Sequence, residues 1–70
     1  MVFERIKELR QEKRLTQTQV AELLGIDQRV YSNYETGKRE IPSHHLIELA
    51  KVYEISLDYL VGLSDVRERR

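Results

Sequence analysis

Apolar residues recur at helical spacing in five short blocks along the chain, and polar residues separate the blocks. Val2, Phe3, Ile6 and Leu9 follow the i, i+3, i+4, i+7 pattern that lines up side chains on one helix stripe. They predict an amphipathic helix over residues 2 to about 13, with an inner stripe ending near Leu15 and a charged outer face. Val20, Ala21 and Leu24 predict a short second helix, and Val30, Tyr31 and Tyr34 predict a third over residues 28–35. Leu46, Ile47, Leu49, Ala50 and Tyr53 are the inward positions of a fourth; Leu57, Tyr59, Leu60 and Val61 belong to a last short one. No window alternates apolar and polar residues long enough for a strand or a hairpin. The expected fold is all-α, a compact five-helix bundle.

The residues between the blocks say where each helix starts and stops. Thr16 with Gln19 three residues on has the capping-box spacing, in which a hydroxyl and an amide side chain each satisfy a backbone group at a helix start. The second helix is therefore expected to begin at Gln17. Gly25 follows it where a chain leaving a helix takes a left-handed conformation. Ile26 can plug the corner, and Asp27 can accept from the first free N–H groups of the third helix. Ala21 is small enough to let the two helices cross closely. Ser43, just past Pro42, is the expected N-cap of the fourth helix, and Ser56 of the fifth. Gly37 and Gly62 fall at helix ends.

Composition narrows the function. At 70 residues there is room for one small core and none for a two-lobed enzyme cleft. Residues 1–63 read as that one domain, and 64–70 as a tail, the start of a linker or a ragged end. Hydrophobic residues at 40% and charged residues at 34% suit a small helical domain and are too apolar for disorder. Cysteine is absent, which excludes disulfides and thiolate metal sites and permits a reducing compartment. No apolar run approaches the roughly 18 residues of a membrane helix, and residues 1–10 lack a signal peptide's apolar stretch; the cytoplasm is the expected location.

Twelve bases balance twelve acids, which argues against a uniformly basic nucleic-acid binder. The distribution is uneven. Residues 1–14 hold five bases and three acids, or +2; residues 41–60 hold Glu48, Glu54 and Asp58 against Lys51, or −2. Lys38 and Arg39 follow the third helix, so a neutral chain can still present a basic face and an acidic back.

These pieces in this order resemble the Cro/CI-type (XRE) helix-turn-helix domains of bacterial and phage transcriptional regulators. The resemblance spans residues 3–64. It rests on Ile6 to Arg10, Leu15-Thr16-Gln17, Val20-Ala21-Glu22-Leu23-Leu24-Gly25-Ile26, Tyr31-Ser32-Asn33-Tyr34-Glu35-Thr36-Gly37-Lys38-Arg39, Leu46 to Tyr53, and Ile55-Ser56-Leu57-Asp58-Tyr59-Leu60-Val61-Gly62. It implies a lambda-repressor-like fold and sequence-specific binding of double-stranded DNA. It also implies transcriptional control, as a repressor, by a homodimer on a palindromic operator. The third helix would enter the major groove while the second crosses the backbone.

On that resemblance Gln28, Arg29, Ser32 and Asn33 face base edges, where Gln or Asn suits adenine and Arg suits guanine. Gln17, Thr18, Gln19, Thr36, Gly37, Lys38 and Arg39 fall at phosphate positions. Gln17 opens a helix whose N–H groups favour an anion; Gln19 has capping as a second reading. Arg10 and Glu35 are expected to form an ion pair that ties the recognition helix to the scaffold and turns Arg10 toward phosphate. Tyr31 departs from the family's usual Ile or Val. Either it lies wholly in the core, or it buries its ring while the hydroxyl reaches a phosphate. A self-association surface is expected around Leu57 to Leu63 with the loop before Ser43.

Other chemistry is thin. His44 and His45 are neighbours, so on a helix they point about 100° apart, and no further ligand is evident beside them; neither a metal nor a cofactor is expected. No nucleophilic triad or glycine-rich phosphate loop is present, and an enzyme is not expected. The alternative class is an antitoxin-like interaction module that grips a protein and binds DNA secondarily.

Overall fold

The computed structural model describes residues 3–68, in which α1 (Glu4–Glu12), α2 (Gln17–Leu24), α3 (Gln28–Thr36), α4 (Ser43–Tyr53) and α5 (Leu57–Leu60) follow one another without a strand. Val2 of the expected first helix lies outside the described residues. Ile6 and Leu9 form the buried stripe of α1, and the helix closes through Arg14, left-handed at φ 57°. That turn lets the Leu15 N–H donate to the Arg10 carbonyl at 3.0 Å, satisfying a carbonyl that the helix end would leave unpaired.

The α2–α3 corner follows the local signals closely. The Gln19 N–H donates to the Thr16 hydroxyl at 3.1 Å, and the Thr16 N–H donates back to Gln19 Oε1 at 2.8 Å. Gly25 takes φ 69°, a conformation that costs an L-residue roughly 1–2 kcal/mol and glycine almost nothing. Asp27 then accepts from the Arg29 N–H at 2.8 Å and starts α3. Ala21 is buried at the corner, and Ile26 packs against the core beside it.

At the start of α4 the expected cap is off by one residue. Pro42 is the N-cap, and Ser43 is the first helical residue with no capping bond from its neighbour's side chain. The Pro42 carbonyl accepts from the His45 and Leu46 N–H groups at 3.1 and 3.2 Å. Proline reaches the extended backbone of a cap without a side-chain acceptor, because its ring presets φ. Ile47 also differs: the turn points it outward, 44% exposed, while Leu46, Leu49, Ala50 and Tyr53 are buried as expected. Ser56 caps α5, accepting from the Tyr59 N–H at 3.1 Å.

All five helices meet in one core. Ile6, Val20, Tyr31, Leu49 and Leu60 are excluded from solvent, and Phe3, Leu15, Val30, Tyr59 and Val61 pack around them. Tyr31 fills volume that Ile or Val would leave empty.

Residues 64–68, expected as a linker or loose tail, return across α5 to the end of α1. Arg5 donates through Nη1 to the Tyr59 and Ser64 carbonyls at 2.8 and 2.6 Å and through Nη2 to Asp65 at 2.8 Å. Its guanidinium stacks 4.0 Å above the Tyr59 ring, a favourable cation–π placement. Arg67 donates to the Tyr59 hydroxyl at 3.0 Å and pairs with Glu12 at 3.0 Å. Ser56 completes the strap by donating from its backbone N–H to the Arg67 carbonyl at 2.8 Å and from its hydroxyl to Val66 at 2.9 Å.

Candidate nucleic-acid interface

The two halves of α3 face different surroundings. Tyr31, Tyr34 and Glu35 are buried, while Gln28 and Arg29 are exposed and Ser32 and Asn33 half-exposed. A nine-residue helix gripped by its last turns thus presents a polar N-terminal edge. Gln17, Thr18 and Gln19 stand at the start of α2, where N–H groups leave a partial positive charge; Lys38 and Arg39 are exposed just beyond α3.

A hydrogen-bonded chain joins this surface to the scaffold. Arg10 meets Glu35 through Nε at 2.7 Å and Nη2 at 3.2 Å, and donates from Nη1 to the Leu15 carbonyl at 2.9 Å. Glu35 also accepts from the Gln17 amide at 3.2 Å, and Gln17 accepts from the Gln28 amide at 2.8 Å. Gln28 is thereby held by one N–H. Its second N–H and its carbonyl oxygen, the two groups that match the edge of adenine, keep their capacity. The Gln17–Gln28 contact bridges eleven positions, and no spacing rule in the sequence announces it.

Burial and charge compete at the centre of that chain. Burial alone would raise the Glu35 carboxyl, but Arg10 first, then the neighbouring Tyr31 hydroxyl and the Gln17 amide, outweigh it and hold the group below its ordinary value. The bond to Glu35 conversely raises Arg10. Tyr31 and Tyr53 bury their hydroxyls beside the pair without an aligned hydrogen-bond partner. Burial pushes Tyr53 up to about 12 and Tyr31 higher still, with the Glu35 charge adding to both.

Tyr31 does not reach a phosphate. Its side chain has no exposed surface, so of the two readings open for it the core reading holds; the hydroxyl points inward because the ring occupies the seam between α3 and the core. Gln19 does the capping work expected of it. Arg10 remains 12% exposed at its side chain, with two of its five N–H groups outside the bonds above. Thr36 directs its hydroxyl to the Ser32 carbonyl at 3.1 Å, and the Arg39 N–H closes on the Asn33 carbonyl at 3.2 Å. At α4, His44 and His45 do have a further donor beside them: Glu48 stands one turn along, 3.1 Å from His45 Nδ1. None of the described helices is long and apolar enough to cross a membrane.

Two helices locked at a glycine corner, the second offering a polar edge, form a helix-turn-helix unit. The family model described as helix-turn-helix matches residues 6–60. The chain is 38% identical over 65 residues to the uncharacterized HTH-type transcriptional regulator YobD of Bacillus subtilis (strain 168), covering 93% of this chain and 58% of that protein. It is likewise 38% identical over 65 residues to the HTH-type transcriptional regulator ImmR of the same organism, covering 93% and 51%. A crystal structure of a transcriptional regulator from Listeria innocua superposes with a TM-score of 0.79 at 36% identity, over 84% of this chain and 55% of that one. The chain belongs to the XRE-type helix-turn-helix family of DNA-binding transcriptional regulators. It spans little more than half the length of the relatives it matches.

Proposed function

We propose that this chain reads double-stranded operator DNA by laying α3 in the major groove, with Gln28, Arg29, Ser32 and Asn33 on base edges. Gln17, Thr18, Gln19, Thr36, Gly37, Lys38 and Arg39 contact phosphates, joined by the outer N–H groups of Arg10. The observation that carries this reading is the exposed polar edge of α3 fixed from behind by the Arg10–Glu35–Gln17–Gln28 chain. Side chains held before binding lose less freedom on binding.

A single recognition helix covers only a few base pairs, so the regulator acts as a homodimer on a palindrome with half-sites about 34 Å apart. Leu57 and Leu63, both exposed, and half-buried Val61 supply its contact. Repression in the cytoplasm, without catalysis, fits such a module. The test is selection of bound sequences from a random duplex pool, followed by anisotropy titration of the winner across salt concentrations. Enrichment of a palindrome whose affinity falls steeply with salt is expected. Recovery of no sequence above background, together with salt-independent binding, overturns the reading.

A further inference from the structure

The first turns of α4 hold a cluster that DNA reading leaves unused. His44, His45 and Glu48 each bring one ligand atom into a group whose members all lie within 4.8 Å of one another. The imidazole centroids are 4.1 Å apart and the rings are tilted by 44°. Glu48 stands three residues from His45 and four from His44, the two spacings that share a helix face. It therefore spans the angle between adjacent imidazoles. The His45 ring, buried and 6.0 Å from the Tyr34 ring of α3, has little freedom to turn away.

The donor chemistry selects the ion. Two imidazole nitrogens and one carboxylate oxygen suit zinc and its neighbours, whereas magnesium and calcium take oxygen ligands. With bonds of about 2.0–2.1 Å, tetrahedral donors stand roughly 3.3 Å apart. Since the ligand atoms all lie within 4.8 Å of one another, closing onto an ion takes no more than about 1.5 Å between any two tips, which exposed His44 and half-buried Glu48 can supply by rotamer adjustment. We propose that His44, His45 and Glu48 form a binding site for one zinc-class divalent transition-metal ion, its fourth position left to water. The chain has two histidines and no cysteine, so every imidazole it offers a metal is in this cluster. All three ligands lie on α4, and the His45 ring stands beside Tyr34 of the recognition helix.

The test uses the untagged chain with zinc chloride, followed by calorimetric titration and thermal melting, with magnesium chloride in parallel. One zinc per chain is expected, with a rise in Tm on the order of 10 °C at a hundredfold excess over Kd, reversed by a chelator and absent with magnesium. His44→Ala and Glu48→Gln should each fold and weaken zinc binding at least tenfold, the lower end of about 10–100-fold lost when an outer-shell group is removed. In NMR spectra zinc should shift both imidazoles. Absence of stoichiometric binding, binding undiminished in folded His44→Ala, or a shift confined to His44 overturns the site and leaves only the His45–Glu48 hydrogen bond.

Discussion

Arg10 on α1 and Glu35 near the end of α3 meet through two N–H groups, with the arginine side chain 12% and the glutamate side chain 2% exposed. Removing one member strands the other charge away from water, so Glu35→Gln should lower stability by about 3–5 kcal/mol in denaturant unfolding. Replacing both, as Arg10→Met with Glu35→Leu, should recover most of that loss, since the desolvation cost leaves with the charges. Operator binding should stay weak in the double variant, because Gln17 has lost its acceptor. Full recovery of binding would show that the pair acts on stability alone.

The same carboxylate makes the fold acid-sensitive. Its folded-state value lies below the ordinary 4.5, so its stabilisation is complete above that pH and is lost as pH falls from there through the folded value. Melting temperature should fall more steeply below pH 4.5 in the native chain than in Glu35→Gln.

At the other end of the scale the buried tyrosines reverse the sign. Tyr53 is raised from 10.0 to about 12, and Tyr31 rises further. Their contribution is present below pH 10 and is lost as pH rises toward 12 and beyond. Tyr31→Phe and Tyr53→Phe should flatten that alkaline loss. At neutral pH Tyr53→Phe, whose hydroxyl has no aligned partner, should change stability by no more than about 1 kcal/mol, whereas Tyr31→Phe also takes a hydroxyl away from the Glu35 carboxylate and should cost more.

Backbone conformation gives two substitutions of opposite sign. Gly25→Ala meets no atom within 4 Å of the added methyl, so its expected cost is the left-handed strain alone, about 1–2 kcal/mol. Glu54 caps α4 at φ 55° and already bears that strain. Glu54→Gly should stabilise by about 0.5–1 kcal/mol after the added freedom of the unfolded chain is subtracted. Equilibrium unfolding of both variants checks the pair.

DNA contacts divide by what they report. Arg29→Ala should relax the preference at one base position at a cost of about 1–3 kcal/mol, whereas Lys38→Ala should weaken every sequence alike and reduce the salt slope by about 1. A lysine variant that changes the selected bases would reassign that side chain.

Most of the fold was legible because its boundaries are chemical. Thr16, Gly25, Asp27 and Ser56 each satisfy or redirect backbone groups within a few residues, and local rules find such devices. Pro42 escaped because it starts a helix by ring geometry without a side-chain acceptor. Ile47 escaped because a broad apolar stripe does not say which edge the neighbouring helices leave open. At the interface, the residue types on α3 were visible from spacing and resemblance. The Gln17–Gln28 and Gln17–Glu35 bonds join residues eleven and eighteen positions apart, and only packing could bring them together. The inward turn of the Tyr31 hydroxyl was hidden for the same reason, whereas Glu48 lies one helical turn from both histidines, a spacing the sequence does show.

The strap over Tyr59 carries a kinetic consequence. The α2–α3 corner closes over short stretches of chain, whereas Arg5 reaches Tyr59, Ser64 and Asp65 across 54 to 60 positions and Arg67 reaches Glu12 across 55. Contacts that enclose nearly the whole chain form late, after local ones have shortened the search. They are then largely missing from the folding transition state, and loosening them acts on the rate of opening. Arg67→Ala should hasten unfolding while leaving the folding rate almost unchanged, which makes the strap a latch on the lifetime of the folded domain.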